Sequence, residues 1–229
     1  MANKKITVMA GTPVDTEMGC RLLQANFTLD LDSIAVADTP EKQTVFQTSD
    51  PAVRARIVKS MIASAISRGS ELIFVYCNSL SATVDFAAIS HELRIKIITP
   101  FKAYQQTAKQ CKRVGLLTAN AQGASGIEKE LVQTNEELKL YSISNLDWVN
   151  SIENKEDAKT ICQNYGLPES VQFFETNKVE KIIFGCTHFP YFMEEYQRMT
   201  AIECLSPDEY MLDEVVKALE LAKIKTETL

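Results

Sequence analysis

Two stretches decide how this chain reads. They are Glu71-Leu72-Ile73-Phe74-Val75-Tyr76-Cys77, followed by Asn78-Ser79, and Glu180-Lys181-Ile182-Ile183-Phe184-Gly185-Cys186, followed by Thr187-His188. Each is a short apolar run that ends on a cysteine six residues after a glutamate. A run of this length, rich in Ile, Val and Phe, reads as a strand buried on both faces, as in a parallel sheet. Free cysteine often serves only to fill space. Packing alone, however, gives no reason to repeat the construction with small polar residues after each thiol.

Working outward, apolar strands alternate with amphipathic helical stretches, the pattern of a parallel α/β protein. Strands are expected over 5–10, 33–37, 71–77, 95–99, 113–118, 138–143, 181–185 and 201–204. A helix is expected over 51–68, with Asp50 as cap, Pro51 in its first turn and Gly69 after its end. Its spacing puts Val53, Ile57, Met61 and Ala65 on one face. A final helix should run from Pro207 to about Lys223, with Ser206 as cap and Glu209 at the capping-box position.

A second beginning is visible at Arg113-Val114-Gly115-Leu116-Leu117-Thr118, followed by a small, polar loop over 119–126. The opening at 5–16 and the Cys77 strand therefore have counterparts at 113–126 and the Cys186 strand. The expected architecture is two pseudo-symmetric, doubly wound parallel-sheet α/β domains. Residues 1–99 plus 207–229 would carry Cys77, and residues 100–206 would carry Cys186. Such sheets bind ligands outside the carboxyl ends of their strands, which is where both cysteines fall.

Composition narrows the function classes. The 229 residues are 45% hydrophobic and 24% charged, with a net charge of −6. That balance argues against a nucleic-acid partner held through a general electrostatic footprint. No apolar segment approaches the roughly 20 residues of a membrane helix, so no membrane partner is expected. The opening MANKKITVMAGTP reads as a first buried strand rather than a secretory signal. The six cysteines (Cys20, Cys77, Cys111, Cys162, Cys186 and Cys204) include no Cys-x-x-Cys pair, and there are two histidines, so zinc-site spacing is absent. Disulfide-stapled domains are shorter and denser in cysteine. Free thiols in a reducing cytoplasm are the expectation.

Both motif cysteines lie where a helix should begin, over 81–93 after Cys77 and over 191–199 after Cys186, with Pro190 starting the latter. The positive end of a helix favours thiolate. A cysteine of ordinary pKa about 8.5 then becomes a usable base near neutral pH. Asn78, Ser79, Thr187 and nearby backbone N–H groups suit a bound carboxylate. Cys20, Cys111, Cys162 and Cys204 lack such surroundings and read as packing or surface residues, and His91 as a surface or core histidine.

The segments Cys77-Asn78-Ser79-Leu80-Ser81-Ala82 and Gly185-Cys186-Thr187-His188-Phe189-Pro190 resemble the two signatures of the aspartate/glutamate racemase family. The second, with its histidine and aromatic-proline pair, resembles glutamate racemases; aspartate racemases usually carry an acidic residue where His188 stands. The resemblance implies paired domains with the active site in the cleft between them, and neither pyridoxal phosphate nor metal as cofactor. It implies Cys77 and Cys186 as the opposed acid and base, with His188 assisting Cys186. Asn78, Ser79 and Thr187 would bind substrate, with Gly11 and Thr12 of the first loop. Dimers are common in the family, and D-glutamate made this way serves bacterial peptidoglycan.

Two stretches depart from the family. Ala10 stands where an assisting carboxylate is expected, so either Asp15 folds back toward Cys77 or the role is vacant. In Ala37–Ser49, Asp38-Thr39 resembles the start of the family's substrate loop, but Val45-Phe46-Gln47 replaces its Pro-Tyr-Gly. The reaction expected is inversion of an acidic amino acid, glutamate preferred and aspartate the alternative. Rival classes are a cysteine–histidine hydrolase or transferase, which would need a single cysteine, and an inactive homologue that binds a small molecule.

Overall fold

The computed structural model describes residues 4–221. In chain order the elements are β1 (Lys5–Ala10), α1 (Pro13–Asn26), β2 (Asp30–Ala35), α2 (Pro40–Thr48), α3 (Pro51–Ser67), β3 (Leu72–Val75), α4 (Asn78–Thr83), α5 (Phe86–Leu93) and β4 (Lys96–Ile98). There follow α6 (Phe101–Gln110), β5 (Arg113–Thr118), α7 (Ala121–Thr134), β6 (Lys139–Ser144), α8 (Asp147–Glu153), α9 (Ala158–Gln163) and α10 (Leu167–Thr176). The chain ends through β7 (Lys181–Phe184), α11 (Pro190–Gln197), β8 (Glu203–Leu205) and α12 (Asp208–Leu219). Two compact units result: one holds the chain up to Pro100 and from Asp208 onward, the other Phe101–Pro207.

Each unit is built on a four-stranded parallel sheet with flanking helices, in the order β2-β1-β3-β4 in the first and β6-β5-β7-β8 in the second. The strand order turns back beside β1 and beside β5, which makes each sheet doubly wound with a switch point there. The registers match as well: Lys5 pairs with Asp30 as Arg113 pairs with Lys139. Tyr76 N–H donates to Met9 C=O as Gly185 N–H donates to Leu117 C=O, both at 2.8 Å. Cys77 and Cys186 are the next residues in each unit.

The glutamate six residues before each cysteine has a defined job. Glu71 Oε1 accepts from Lys5 N–H at 3.4 Å, while its own N–H donates to Lys5 C=O. Glu180 Oε1 accepts from Lys112 and Arg113 N–H, both at 2.9 Å, and its N–H donates to Arg113 C=O. Each carboxylate therefore satisfies donors at the start of the neighbouring strand and helps fix its register.

Where helix meets strand the two units reach one packing result by opposite means. In the first, Gly19 is the seventh residue of α1, and a Cβ there would lie 3.0 Å from the Cβ of Tyr76 and 2.8 Å from Val8. In the second, the seventh residue of α7 is Ile127, and the residue in Tyr76's place is Gly185. A Cβ on Gly185 would lie 2.7 Å from Ile127 Cδ1 and 2.6 Å from Leu116 Cδ1. The bulky partner has changed sides.

The first unit's core joins β1 and β3 to Leu23, Phe27, Val58 and Ile62, and to Met211, Leu212 and Val215 of α12. In α3 the buried stripe is Arg54, Val58, Ile62 and Ala65, not the expected Val53, Ile57, Met61 and Ala65; Val53 and Ile57 are exposed. The helix offers two apolar stripes, and the hydrogen bonds of Arg54 decide between them. Its guanidinium donates to the carbonyls of Gln47, Ser49 and Thr83 at 2.6–2.8 Å, which turns its own face inward.

Other boundaries also differ from expectation. The strand expected over 33–37 is Asp30–Ala35, because pairing with β1 begins at Lys5↔Asp30. The helix expected over 81–93 is two, α4 and α5, broken at Val84 where Asp85 caps the second through Ala88 N–H. The stretch read as a substrate loop is largely the helix α2, capped by Thr39 and opened by Pro40. The final helix ends at Leu219, with Glu220 at φ 54°, and residues 222 and 223 lie outside the described residues. Among the described residues no helix is long and apolar enough to cross a membrane, and no cluster of His, Cys, Asp and Glu could hold a metal ion.

Candidate active site

In the first unit, β3 delivers Cys77 to the N-cap position of α4, where its sulfur accepts from Leu80 N–H at 3.5 Å. Cys77, Asn78 and Ser79 are all buried. Two residues not anticipated from sequence complete the cluster, Gln43 and Gln47 of α2. Gln43 Nε2 donates to Cys77 Sγ at 3.2 Å and to Ser79 Oγ at 3.3 Å. Gln47 Nε2 donates to Ser79 Oγ at 2.8 Å. The buried face of α2 is thus Pro40, Gln43 and Gln47, while Val45 is 70% exposed. A helix that turns two amides inward and leaves a valine outside is bearing a desolvation cost. That i, i+4 polar pair after a Thr-Pro start was the available signal.

Gly11 and Thr12 lie at the carboxyl end of β1, but their backbone N–H groups are engaged. Asp15 accepts from Gly11 N–H at 3.1 Å and from Thr12 N–H at 2.6 Å, in a capping box with the Thr12 side chain. Asp15 is therefore a helix-start residue here. Gly11 has a second role: a Cβ on it would lie 2.1 Å from Gln43 Cδ, so the missing side chain is the space in which the Gln43 amide rests.

In the second unit β7 delivers Cys186, and the chain passes Thr187 and His188 before α11 begins at Pro190. His188 Nδ1 lies 3.7 Å from Cys186 Sγ, and its Nε2 lies 3.0 Å from Glu153 Oε1. Thr187 and His188 are buried, and Cys186 is half-buried. An imidazole that donates Nε2–H to a carboxylate presents the Nδ1 lone pair to the sulfur, so His188 can take the proton of the Cys186 thiol.

Ring packing sets this alignment. Trp148 of α8 meets Phe189 edge-on with centroids 5.6 Å apart, and Phe189 packs on Phe192 and Phe184. The helix that ends in Glu153 is thereby anchored to the residue next to His188. Nothing in the sequence near Glu153 marks it, since the contact arises from the packing of two distant segments.

The other four cysteines are of a different kind. Burial pushes the thiols of Cys162 and Cys204 up to about 12, and those of Cys20 and Cys111 also upward. They stay protonated and unreactive near neutral pH. All six cysteines are free.

No protein-family model matches the chain. Among curated proteins it is similar to the glutamate racemase of Carboxydothermus hydrogenoformans, with 24% identity over 171 residues that cover 72% of this chain and 62% of that protein. The chain thus spans less than two thirds of the length of the curated relatives it matches first. Among solved structures it superposes on glutamate racemase from Francisella tularensis in complex with D-glutamate, with a TM-score of 0.72, 18% identity, and coverage of 98% of this chain and 85% of that one. An aspartate racemase homologue from Pyrococcus horikoshii gives a TM-score of 0.64 at 17% identity, with coverage of 95% of this chain and 100% of that one. The chain is thus similar in sequence to glutamate racemases, and its fold is that of glutamate racemases and of an aspartate racemase homologue.

Proposed function

We propose that this protein is a cofactor-independent amino-acid racemase that inverts the α-carbon of an acidic amino acid, glutamate in preference to aspartate. One observation carries the reading: Cys77 and Cys186 occupy the same position in two units of the same topology, each with its own polar partners. Inversion requires removal of the α-proton from one face and delivery of a proton to the other, and two thiols divide that work. One sulfur, as thiolate, takes the α-proton; the other, as thiol, gives its proton to the carbanion; their states are then exchanged. Asn78, Ser79 and Thr187 would hold the α-carboxylate and spread the developing charge. The sequence likeness to glutamate racemases supports the substrate, as does the D-glutamate held by the Francisella tularensis enzyme. On this reading the protein works in the cytoplasm, as a homodimer, and its D-glutamate serves cell-wall synthesis.

A second reading has one specific observation in its favour. Cys186, His188 and Glu153 stand in the order of nucleophile, base and orienting carboxylate used by cysteine hydrolases and transferases. It leaves the matched Cys77 without a task. The two readings separate in deuterated water, with L- and D-glutamate and aspartate followed by NMR. Racemisation gives α-deuterium incorporation with optical inversion, abolished by Cys77→Ala and by Cys186→Ala alike. No exchange with either amino acid overturns the proposal. Turnover that survives Cys77→Ala, with an acyl adduct on Cys186, establishes the rival.

A further inference from the structure

Hydrogen-bond donors gather around Cys77 Sγ. Gln43 Nε2 has two hydrogens, and its two contacts direct one to the sulfur and one to Ser79 Oγ. Ser79 Oγ also receives the amide of Gln47. With both lone pairs of Ser79 filled, its own hydrogen is left for the sulfur, 3.6 Å away. Leu80 N–H supplies a further donor. Three donors therefore converge on Cys77 Sγ from α2 and α4. Donors to the charged form of an acid favour that form. Cys186 has a different neighbour: His188 Nδ1 lies 3.7 Å from its sulfur and presents a lone pair to it when Nε2–H is given to Glu153.

The other charges buried in the same unit can be named. Among the described residues the buried charged side chains of the first unit are Asp15 and Arg54. Asp15 is held by Gly11 and Thr12 N–H groups on the β1–α1 side. Arg54 of α3 donates to carbonyls at the ends of α2 and α4, so it also ties together the helices that carry the cluster.

We propose that Gln43 and Gln47 are positioning residues that hold Cys77 as the resting thiolate, Gln43 directly and Gln47 by orienting Ser79. Resting on the two-thiol reading, this makes Cys77 the sulfur that takes the first α-proton and Cys186 the thiol that gives one. Where Ala10 stands in place of a carboxylate, neutral amides act instead. They stabilise the thiolate but take up no proton themselves.

The test needs no substrate, so its failure is separable from failure of the racemase assignment. The ultraviolet absorbance of the Cys77 thiolate is titrated with pH, as the difference between each protein and the same protein carrying Cys77→Ser. The wild-type midpoint should lie below the ordinary cysteine value of about 8.5. Gln43→Ala should raise it by about one pH unit, and Gln47→Ala by less, because each removes donor strength from the charged form. Gln43→Glu, close in shape and expected to preserve the fold, should raise it furthest by adding like charge. The Cys186 titration, read against Cys186→Ser, should stay unchanged throughout. A wild-type midpoint at or above the ordinary value overturns the proposal. So does a midpoint that Gln43→Glu leaves in place or lowers, since that outcome requires the amide oxygen to face the sulfur.

Discussion

His188 Nε2 and Glu153 Oε1 meet at 3.0 Å although one lies in the turn before α11 and the other at the end of α8, far apart in the chain, and the Trp148–Phe189 edge contact holds those segments together. The carboxylate fixes which imidazole nitrogen carries the proton. Glu153→Gln keeps the shape but also permits the other tautomer. On the racemase reading, turnover of glutamate in the Cys186-dependent direction should fall by about a hundredfold, the lower range for loss of general acid–base assistance. Substrate KM should change little. Steady-state kinetics with each enantiomer checks both numbers; a fall in affinity alone would give Glu153 a binding role instead.

Gly185→Ala should destabilise the protein by about 1–3 kcal/mol, the usual penalty for overpacking. The new Cβ would press on Leu116, Ile127 and Thr118, all side chains of the sheet–helix seam. Adding Ile127→Ala should recover part of the loss, with a coupling of about 1 kcal/mol in the double-mutant cycle. Urea unfolding of the four proteins measures it. Strict additivity would mean that the seam relaxes elsewhere.

Arg54→Leu should cost about 3 kcal/mol, since three carbonyls, one buried and two part-buried, lose a charged donor. Amide exchange should accelerate in α2 and α4, which Arg54 joins, and remain unchanged in β5 and β7. Peptide-resolved hydrogen exchange reads both regions in one experiment.

Alkaline pH should weaken the fold through Cys162 and Cys204. Burial raises both folded-state values to about 12, whereas an unfolded cysteine titrates near about 8.5. The unfolded chain therefore sheds protons first. The stability these thiols contribute is fully present below the unfolded value and is lost as pH climbs toward the folded one. Urea-derived stability should fall across that window, and the slope should flatten in Cys162→Ala/Cys204→Ala. An unchanged slope would assign the alkaline limb to other groups.

The doubled sheet was legible because continuous apolar runs and their following polar residues are local properties. The strands that carry Cys77 and Cys186 needed no tertiary information. The register glutamates were visible as a spacing, though their meaning came only with the paired strand in place. What local pattern could not supply was the choice between competing helix faces. In α3 a buried arginine overrode an equally apolar stripe at Val53 and Ile57. In α2, Val45-Phe46 drew attention away from the glutamines that the helix turns inward. Glu153 was beyond reach altogether, because its partner lies in another segment and only ring packing brings the two together.

The exchange of bulk between Gly19–Tyr76 and Ile127–Gly185 means that the halves, if they arose by duplication, are no longer interchangeable. A chimera with α7 transplanted into the first half would set isoleucine against tyrosine. The reciprocal graft would face glycine with glycine and leave a hole. Each seam sets one glycine against one large side chain, so the two differ in where the bulk sits rather than in whether it is there. A comparison of one half with the other, position by position, would therefore score a mismatch at both sites where the packing constraint is in fact the same.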